Sequence, residues 1–347
     1  MEYGNHIPLP CSVLGNCVRP IASRQALVKL HENGRWQSGN SRKFNVFKNM
    51  MVYRLASPWS ATPAQLEAAL EAAQFVACGA SEEKSVGWTE PRGHAHGALL
   101  EVVAGQWIAK FAMEFKSVPG SVIKRKVQEQ VAQIEASTGR KPGKKEIRTL
   151  SDDARLALLP MAFTKQSSVL VWVDTLTGLL VLDATSPSKA DEVLTYLTNA
   201  VEGLALTLLN TQIAPATAMA HWLSTRKAPP GFSVDRECEL KATDESKAVV
   251  RYTRHALDTD EVVHHIATGK VPTRLALTWG DSVSFVLTEA LQLKKITFLH
   301  VVADEAPAVA SDRSDEHFDA DVAIAAGELA RLLPDLLEAL GGEVGAI

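Results

Sequence analysis

The stretch LLEVVAGQWIAKFAMEF, residues 99–115, sets the reading of the whole chain. Two strand-like runs, Leu99–Val103 and Gln106–Phe115, flank Ala104-Gly105, a pair short and permissive enough for a tight hairpin. The period then changes. Ile123, Val127, Val131 and Ile134 recur at helical spacing over about Ser121–Ser137. Gly139-Arg140-Lys141-Pro142-Gly143 breaks that helix. A second helix, carrying Ile147, Leu150, Ala154 and Leu158, runs from about Lys144 to Leu159 and stops at Pro160. This predicts an antiparallel helical hairpin with a basic tip. Beyond it, Val169–Asp174 and Leu179–Asp183 form another strand pair around Thr175–Gly178.

Working outward, Phe47–Leu55 reads as a strand and about Pro63–Ala73 as an amphipathic helix. Downstream, helices are expected at Ser188–Val201, Ala214–Thr225 and Thr259–Thr268. Strands are expected at Phe232–Leu240, Ala248–Tyr252, Arg274–Trp279, Ser282–Thr288 and Leu293–Leu299. A last helix, about Asp321–Leu340, ends at Gly341-Gly342. Strand pairs with short turns, and helices between the groups, predict an α+β fold: mostly antiparallel sheets with helices and a protruding helical hairpin.

The chain has 347 residues, 46% hydrophobic and 22% charged, enough for one large domain or two to three smaller ones. No apolar run reaches the roughly 18 to 20 residues that span a bilayer. Met1–Pro10 lacks a basic region followed by an apolar one, so the sequence predicts no export and no membrane partner. Cys11, Cys17, Cys78 and Cys238 show neither CxxC pairing nor metal spacing, which suits buried thiols in a reducing cytoplasm. Net charge is −4, but it is unevenly spread. Lys116–Leu150 holds nine basic and three acidic residues, a net +6, whereas Ala303–Ile347 holds eleven acids and two bases, a net −9. Such a split can turn one basic surface toward a polyanion and an acidic one away from it.

No phosphate loop, GxGxxG or GxSxG motif is present, and no catalytic set, metal site or cofactor is expected. His94, His96 and Glu90 could ligate a metal, which makes a metal-dependent nuclease the rival reading, yet a Gly-flanked surface loop with incidental histidines explains them more simply. His255, His264 and His265 raise the same question, and neighbouring helical histidines diverge by about 100°. Asp312, Asp315, Glu316, Asp319 and Asp321 lack the order of a calcium loop and read as a solvated acidic face. The basic tip is different. Arg140, Lys141, Lys144 and Lys145 fall within six residues that contain no acid, and Lys124-Arg125-Lys126 lies on the partner helix. Composition alone leaves a solvated turn and a nucleic-acid contact evenly balanced. With few aromatics nearby, phosphate contact to duplex fits better than base stacking on single strands.

Collinear segments then resemble one family. Phe47-Lys48-Asn49-Met50-Met51-Val52-Tyr53-Arg54-Leu55 is similar to the opening signature of RdgC proteins, and Leu158-Leu159-Pro160-Met161-Ala162-Phe163 to their mid-chain segment. Trp172-Val173-Asp174 with Gly178, and Leu291-Gln292-Leu293-Lys294-Lys295, match further along. Phe318-Asp319-Ala320-Asp321, Gly327-Glu328-Leu329 and Glu338-Ala339-Leu340-Gly341-Gly342-Glu343 match at the end. The resemblance implies a ring-shaped homodimer around duplex DNA, binding without sequence preference and taking single strands too. It also implies nucleoid association in the cytoplasm and antagonism of RecA recombinase in replication and recombination control. A factor meeting recombinase directly, without DNA, is a third reading.

DNA contacts are thus expected from Lys124, Arg125, Lys126, Arg140, Lys141, Lys144 and Lys145. The resemblance adds Arg251 and Arg254 to the same channel, and Phe163 at an arm tip as a dimer contact, although a buried core Phe is equally compatible with the sequence. The expected organisation is an extension at 1–45, disordered or upstream of a true start at Val46, then an RdgC-like domain at 46–347. That domain would carry its arm at about 119–163 and its dimerisation region at about 200–347. Two departures stand out: Pro334 interrupts the last helix, where a kink or restart is expected, and Met161 stands where relatives are often basic.

Overall fold

The computed structural model describes residues 46–56, 59, 61–299 and 312–345, with backbone alone for 312–316. The expectation for residues 1–45 lies outside the described residues. A seven-stranded sheet comprises β1 (Met51–Leu55), β2 (Lys84–Thr89), β3 (Leu100–Val103), β4 (Gln106–Lys116), β5 (Thr164–Asp174), β6 (Leu179–Leu182) and β7 (Leu206–Leu208). Its order is β2-β4-β5-β6-β1-β7, with β3 and β2 end to end on one edge of β4. A five-stranded sheet comprises β8 (Phe232–Ala242), β9 (Val249–Thr253), β10 (Lys270–Trp279), β11 (Val283–Thr288) and β12 (Leu293–Phe298), in the order β12-β11-β10-β8-β9. Every ladder between these strands is antiparallel, so the α+β reading holds. The helices are α1 (Pro63–Glu71), α2 (Gly120–Thr138), α3 (Lys144–Leu158), α4 (Pro187–Ala200), α5 (Pro215–Thr225), α6 (Asp260–Ala267) and α7 (Asp312–Ala339).

Alternation along the strands divides the first sheet between two cores. Met51, Tyr53 and Leu55 of β1, Val169, Val171 and Val173 of β5, and Leu180 and Leu182 of β6 face α1 and α4. The intervening residues, Val52, Trp172 and Val181, face a second core shared with Leu275, Leu277, Phe285 and Leu287 of the other sheet. Helix α7 supplies the centre of that shared core. Its Val322, Ala325, Ala326, Leu329, Leu332, Leu333, Leu336 and the following Leu340 recur at helical spacing and are all buried.

The sheets are also joined through the main chain. Met50 N–H donates to Leu293 C=O at 2.7 Å, Leu293 N–H returns to Met50 C=O at 3.1 Å, and Ile296 N–H donates to Lys48 C=O at 2.9 Å. Beside this seam Asp183 accepts from Asn49 N–H at 2.8 Å. Burial pushes the Asp183 carboxyl above its ordinary value, and the hydrogen bonds from Asn49 and Lys48 only partly offset it. At the far end Gly342 C=O accepts from Gln212 N–H at 2.9 Å, while Arg54 forms an ion pair with Glu343 and donates to Thr177 C=O.

Most elements fall where periodicity places them, with three differences. Strand β2 was not expected, because Lys84–Thr89 contains Gly87 and no clean alternation. Gly87 is required there: a Cβ would lie 2.6 Å from the Phe75 Cα, since the 73–75 backbone docks on β2. Strand β7 is three residues long and equally silent in sequence. Helix α7 starts at Asp312, nine residues before its expected start at Asp321, and runs as one element through Pro334. The acidic residues there mask its amphipathic onset.

Candidate nucleic-acid interface

Helix α2 ends because Gly139 adopts φ 69°, a left-handed conformation that closes the helix by returning its N–H to Glu135 C=O at 2.9 Å. The chain reverses over residues 139–143, and α3 packs back on α2. Ile123, Val127 and Ala154 form a small core of their own, with Val131, Leu150 and Leu158 half-buried beside it. Because the apolar stripe faces inward, the basic residues face water. Lys124, Arg125, Lys126, Arg140, Lys141, Lys144 and Lys145 are all exposed.

They do not form one patch. Lys124-Arg125-Lys126 lies near the start of α2 and Arg140 just past its end, so a rise of about 1.5 Å per residue separates them by roughly 20 Å. Nor are all the charges free. Arg140 donates in bidentate fashion to Glu146, Nη1 to Oε2 at 3.0 Å and Nη2 to Oε1 at 3.2 Å. Lys141 lies 3.9 Å from Glu135, and Lys126 lies 3.9 Å from Glu129. Lys124, Arg125, Lys144 and Lys145 have no carboxylate partner among the described residues. Arg148 joins them: exposed, unpaired among the described residues, and spaced four and three residues from Lys144 and Lys145 on one face of α3. That spacing was readable in the sequence and gives the tip a third standing cation.

Arg251 and Arg254 sit in the five-stranded sheet, in and just beyond β9. Arg251 Nε donates to Glu239 at 2.6 Å. Burial opposes ionisation of Glu239, but hydrogen bonds from Arg251 and Thr273 outweigh it and hold the carboxyl below its ordinary value. Arg254 has φ 56° and no acidic partner among the described residues. Of the two, Arg254 is the one available to an external anion. Phe163 is 93% exposed and directly precedes β5, flanked by Met161 at 72%. The core alternative for Phe163 is therefore excluded. Its place differs from the expected one: it stands where α3 hands back to the sheet, remote in sequence from the 139–143 turn.

The rival metal site does not assemble. Glu90 is occupied with its own loop, accepting from Thr89 Oγ1 at 2.8 Å and from His96 N–H at 3.1 Å. Its own backbone N–H, then Thr89 and His96, hold its carboxyl below the ordinary value. Among the described residues no three His, Cys, Asp or Glu side chains converge as metal ligands, and this includes His94, His96, His255, His264 and His265. Tyr252 and His265 instead share Glu261, at 3.0 Å and 3.8 Å. In the acidic group, Asp319 bonds Arg92 at 2.6 Å, and Arg92 also pairs with Glu101 at 2.9 Å. The side chains of Asp312, Asp315 and Glu316 lie outside the described residues. Cys238 is buried, which pushes its thiol up to about 12, and Cys78 is half-buried. Among the described residues no helix is long and apolar enough to cross a membrane.

Comparison with known proteins matches the sequence to one family. The family model described as "Putative exonuclease, RdgC" matches residues 46–343. The recombination-associated protein RdgC of Dechloromonas aromatica is 43% identical over 301 residues, covering 86% of this chain and 98% of the relative. The proteins of the same name from Herminiimonas arsenicoxydans and Bordetella pertussis are 43% and 40% identical over 297 residues, with the same coverage. With most of the chain matched collinearly from Val46 to Glu343, the protein belongs to the RdgC family of recombination-associated proteins.

Proposed function

We propose that this protein is a nucleoid-associated, sequence-nonspecific DNA-binding protein that acts without catalysis, closes as a ring-shaped homodimer around duplex DNA and thereby limits RecA-type recombinase. The observation that carries this reading is the set of exposed cations on α2 and α3, Lys124, Arg125, Lys144, Lys145 and Arg148, with no carboxylate partner among the described residues. Side chains of this length on a small, self-contained helical arm reach phosphates without needing to read bases. Lys126, Arg140, Lys141 and Arg254 would add contacts once a polyanion is near, and Arg251 fewer, because Glu239 holds it. Single strands would bind by the same charges. The dimer would close partly through Phe163 and partly through residues 200–347.

The deciding experiment is a gel shift on duplex and single-stranded DNA across a salt series. Binding that falls steeply with salt and ignores sequence supports the reading. Absence of binding at low salt, or loss of DNA ends in the presence of divalent metal, defeats it. Phe163→Ser is expected to weaken DNA binding and dimerisation while leaving the melting temperature in place, since so exposed a ring contributes little to the monomer's fold. Sedimentation of the variant at the wild-type mass, with wild-type affinity, would remove Phe163 from the closure.

A further inference from the structure

We propose that Glu146 and Glu135 are built-in competitors of phosphate at the tip of the arm, holding Arg140 and Lys141 in reserve and capping the affinity for DNA. The inference rests on the DNA-binding reading and concerns how that site is regulated.

The geometry separates the four tip cations into two kinds. Lys144 and Lys145 stand free of carboxylates among the described residues, whereas Arg140 and Lys141 each meet one. The Arg140–Glu146 pair is a fork-to-fork contact, both guanidinium Nη atoms donating to both carboxylate oxygens at 3.0 and 3.2 Å. A guanidinium presents the same fork to a phosphate, so Glu146 occupies the place a phosphate would take. Both pairs are open to solvent: Arg140 and Lys141 are 63% and 77% exposed, and Glu146 and Glu135 are 37% and 42% exposed. A phosphate can therefore exchange with either carboxylate with no rearrangement of the helices. The two acids also come from opposite sides of the turn, Glu135 from the last turn of α2 and Glu146 from the first turn of α3.

Two consequences follow for binding. Each phosphate that captures Arg140 or Lys141 replaces an existing ion pair, so the gain is smaller than at Lys144 or Lys145. The displaced carboxylate then remains beside the polyanion and repels it. Both effects lower affinity and shorten residence at any one position, which suits a protein that must move along DNA and leave it.

The test measures fluorescence anisotropy of a labelled duplex titrated with full-length protein over a salt series, for wild type, Glu146→Gln, Glu135→Gln and the double variant. Glutamine keeps the size of glutamate and removes its charge. Each single variant should bind about twofold to fivefold more tightly at low salt, the range expected for freeing one exposed ion pair. The double variant should bind more tightly still and show a steeper salt dependence. Glu71→Gln, an exposed position on α1 outside the arm, should leave binding unchanged. In an Arg140→Gln background the gain from Glu146→Gln should vanish, a coupling that a general change in arm stability would not produce. Unchanged affinity in both single variants, an equal gain from Glu71→Gln, or a gain that survives Arg140→Gln overturns the proposal while wild-type binding leaves the DNA reading standing. A wild-type protein that binds no duplex at any salt overturns both.

Discussion

Leu329→Ala should lower the stability of this protein by about 2 to 5 kcal/mol, the range for truncating a large aliphatic side chain in a packed core. Leu329 is fully buried at the middle of α7, inside the cluster that the two sheets share. Both sheets limit how far the site can collapse around a void, which places the effect toward the upper part of that range. At about 1.5 °C per kcal/mol for a protein of this size, the melting temperature should drop by roughly 3 to 8 °C. Ile324→Ala, in the same helix but 42% exposed, is the comparison and should cost on the order of 1 kcal/mol or less. Thermal melts of both variants, followed by circular dichroism, decide the matter. Equal losses would mean that α7 is not the centre of the shared core.

On the proposed DNA-binding reading, replacing Arg140, Lys141, Lys144 and Lys145 together with alanine should produce the largest change in DNA binding. Each phosphate contact contributes a slope of about 0.9 to the dependence of log K on log salt. Lys144 and Lys145, unopposed among the described residues, should account for about two units between them. Arg140 and Lys141 should contribute less than a full unit each, because Glu146 and Glu135 must first release them. A flattening of about two to four units is expected, equal on two unrelated duplexes. Stability should shift by no more than about 1 kcal/mol per exposed charge. Salt titrations on both duplexes test this. An unchanged slope would show that the tip does not touch DNA, and a loss confined to one duplex would show base readout.

Much of this structure is legible in the chain because its strongest local signals are also its tertiary ones. The turn at 139–143 gives the ends of α2 and α3 to within one residue of the expected bounds, since Gly139 and Pro160 act on the backbone directly. The alternation of Val169–Asp174 places its residues on opposite faces of a sheet that has a core on each side. What stays hidden depends on partners distant in sequence. Strand β2 is held by its pairing with β4 and by the 73–75 backbone docked on Gly87, and no local pattern announces either. The exposure of Phe163 could not be read from Pro160 before it or Thr164 after it. At the tip the six basic-rich residues contain no acid, yet the helices that flank them bring Glu135 and Glu146 back to Arg140 and Lys141. Formal charge counts describe a segment; ion pairing describes a surface.

The position of α7 bears on how the protein comes to be made. Helix α7, whose buried face belongs to the core shared by both sheets, is the last of the described elements to leave the ribosome, while Phe47 and Val52 of the same core are among the first. During synthesis the first sheet can settle against α1 and α4, but the core on its other face stays incomplete until residues 322–340 arrive. A nascent or prematurely terminated chain that has completed both sheets at Phe298 but lacks α7 therefore displays apolar surface from both, for as long as the last stretch of translation takes. At typical elongation rates of about 5 to 20 residues per second, that interval is long compared with hydrophobic collapse. Translation of this protein should consequently lean on chaperones that shield β-surface, and nonsense mutations upstream of α7 should yield aggregates in place of a shortened, working arm.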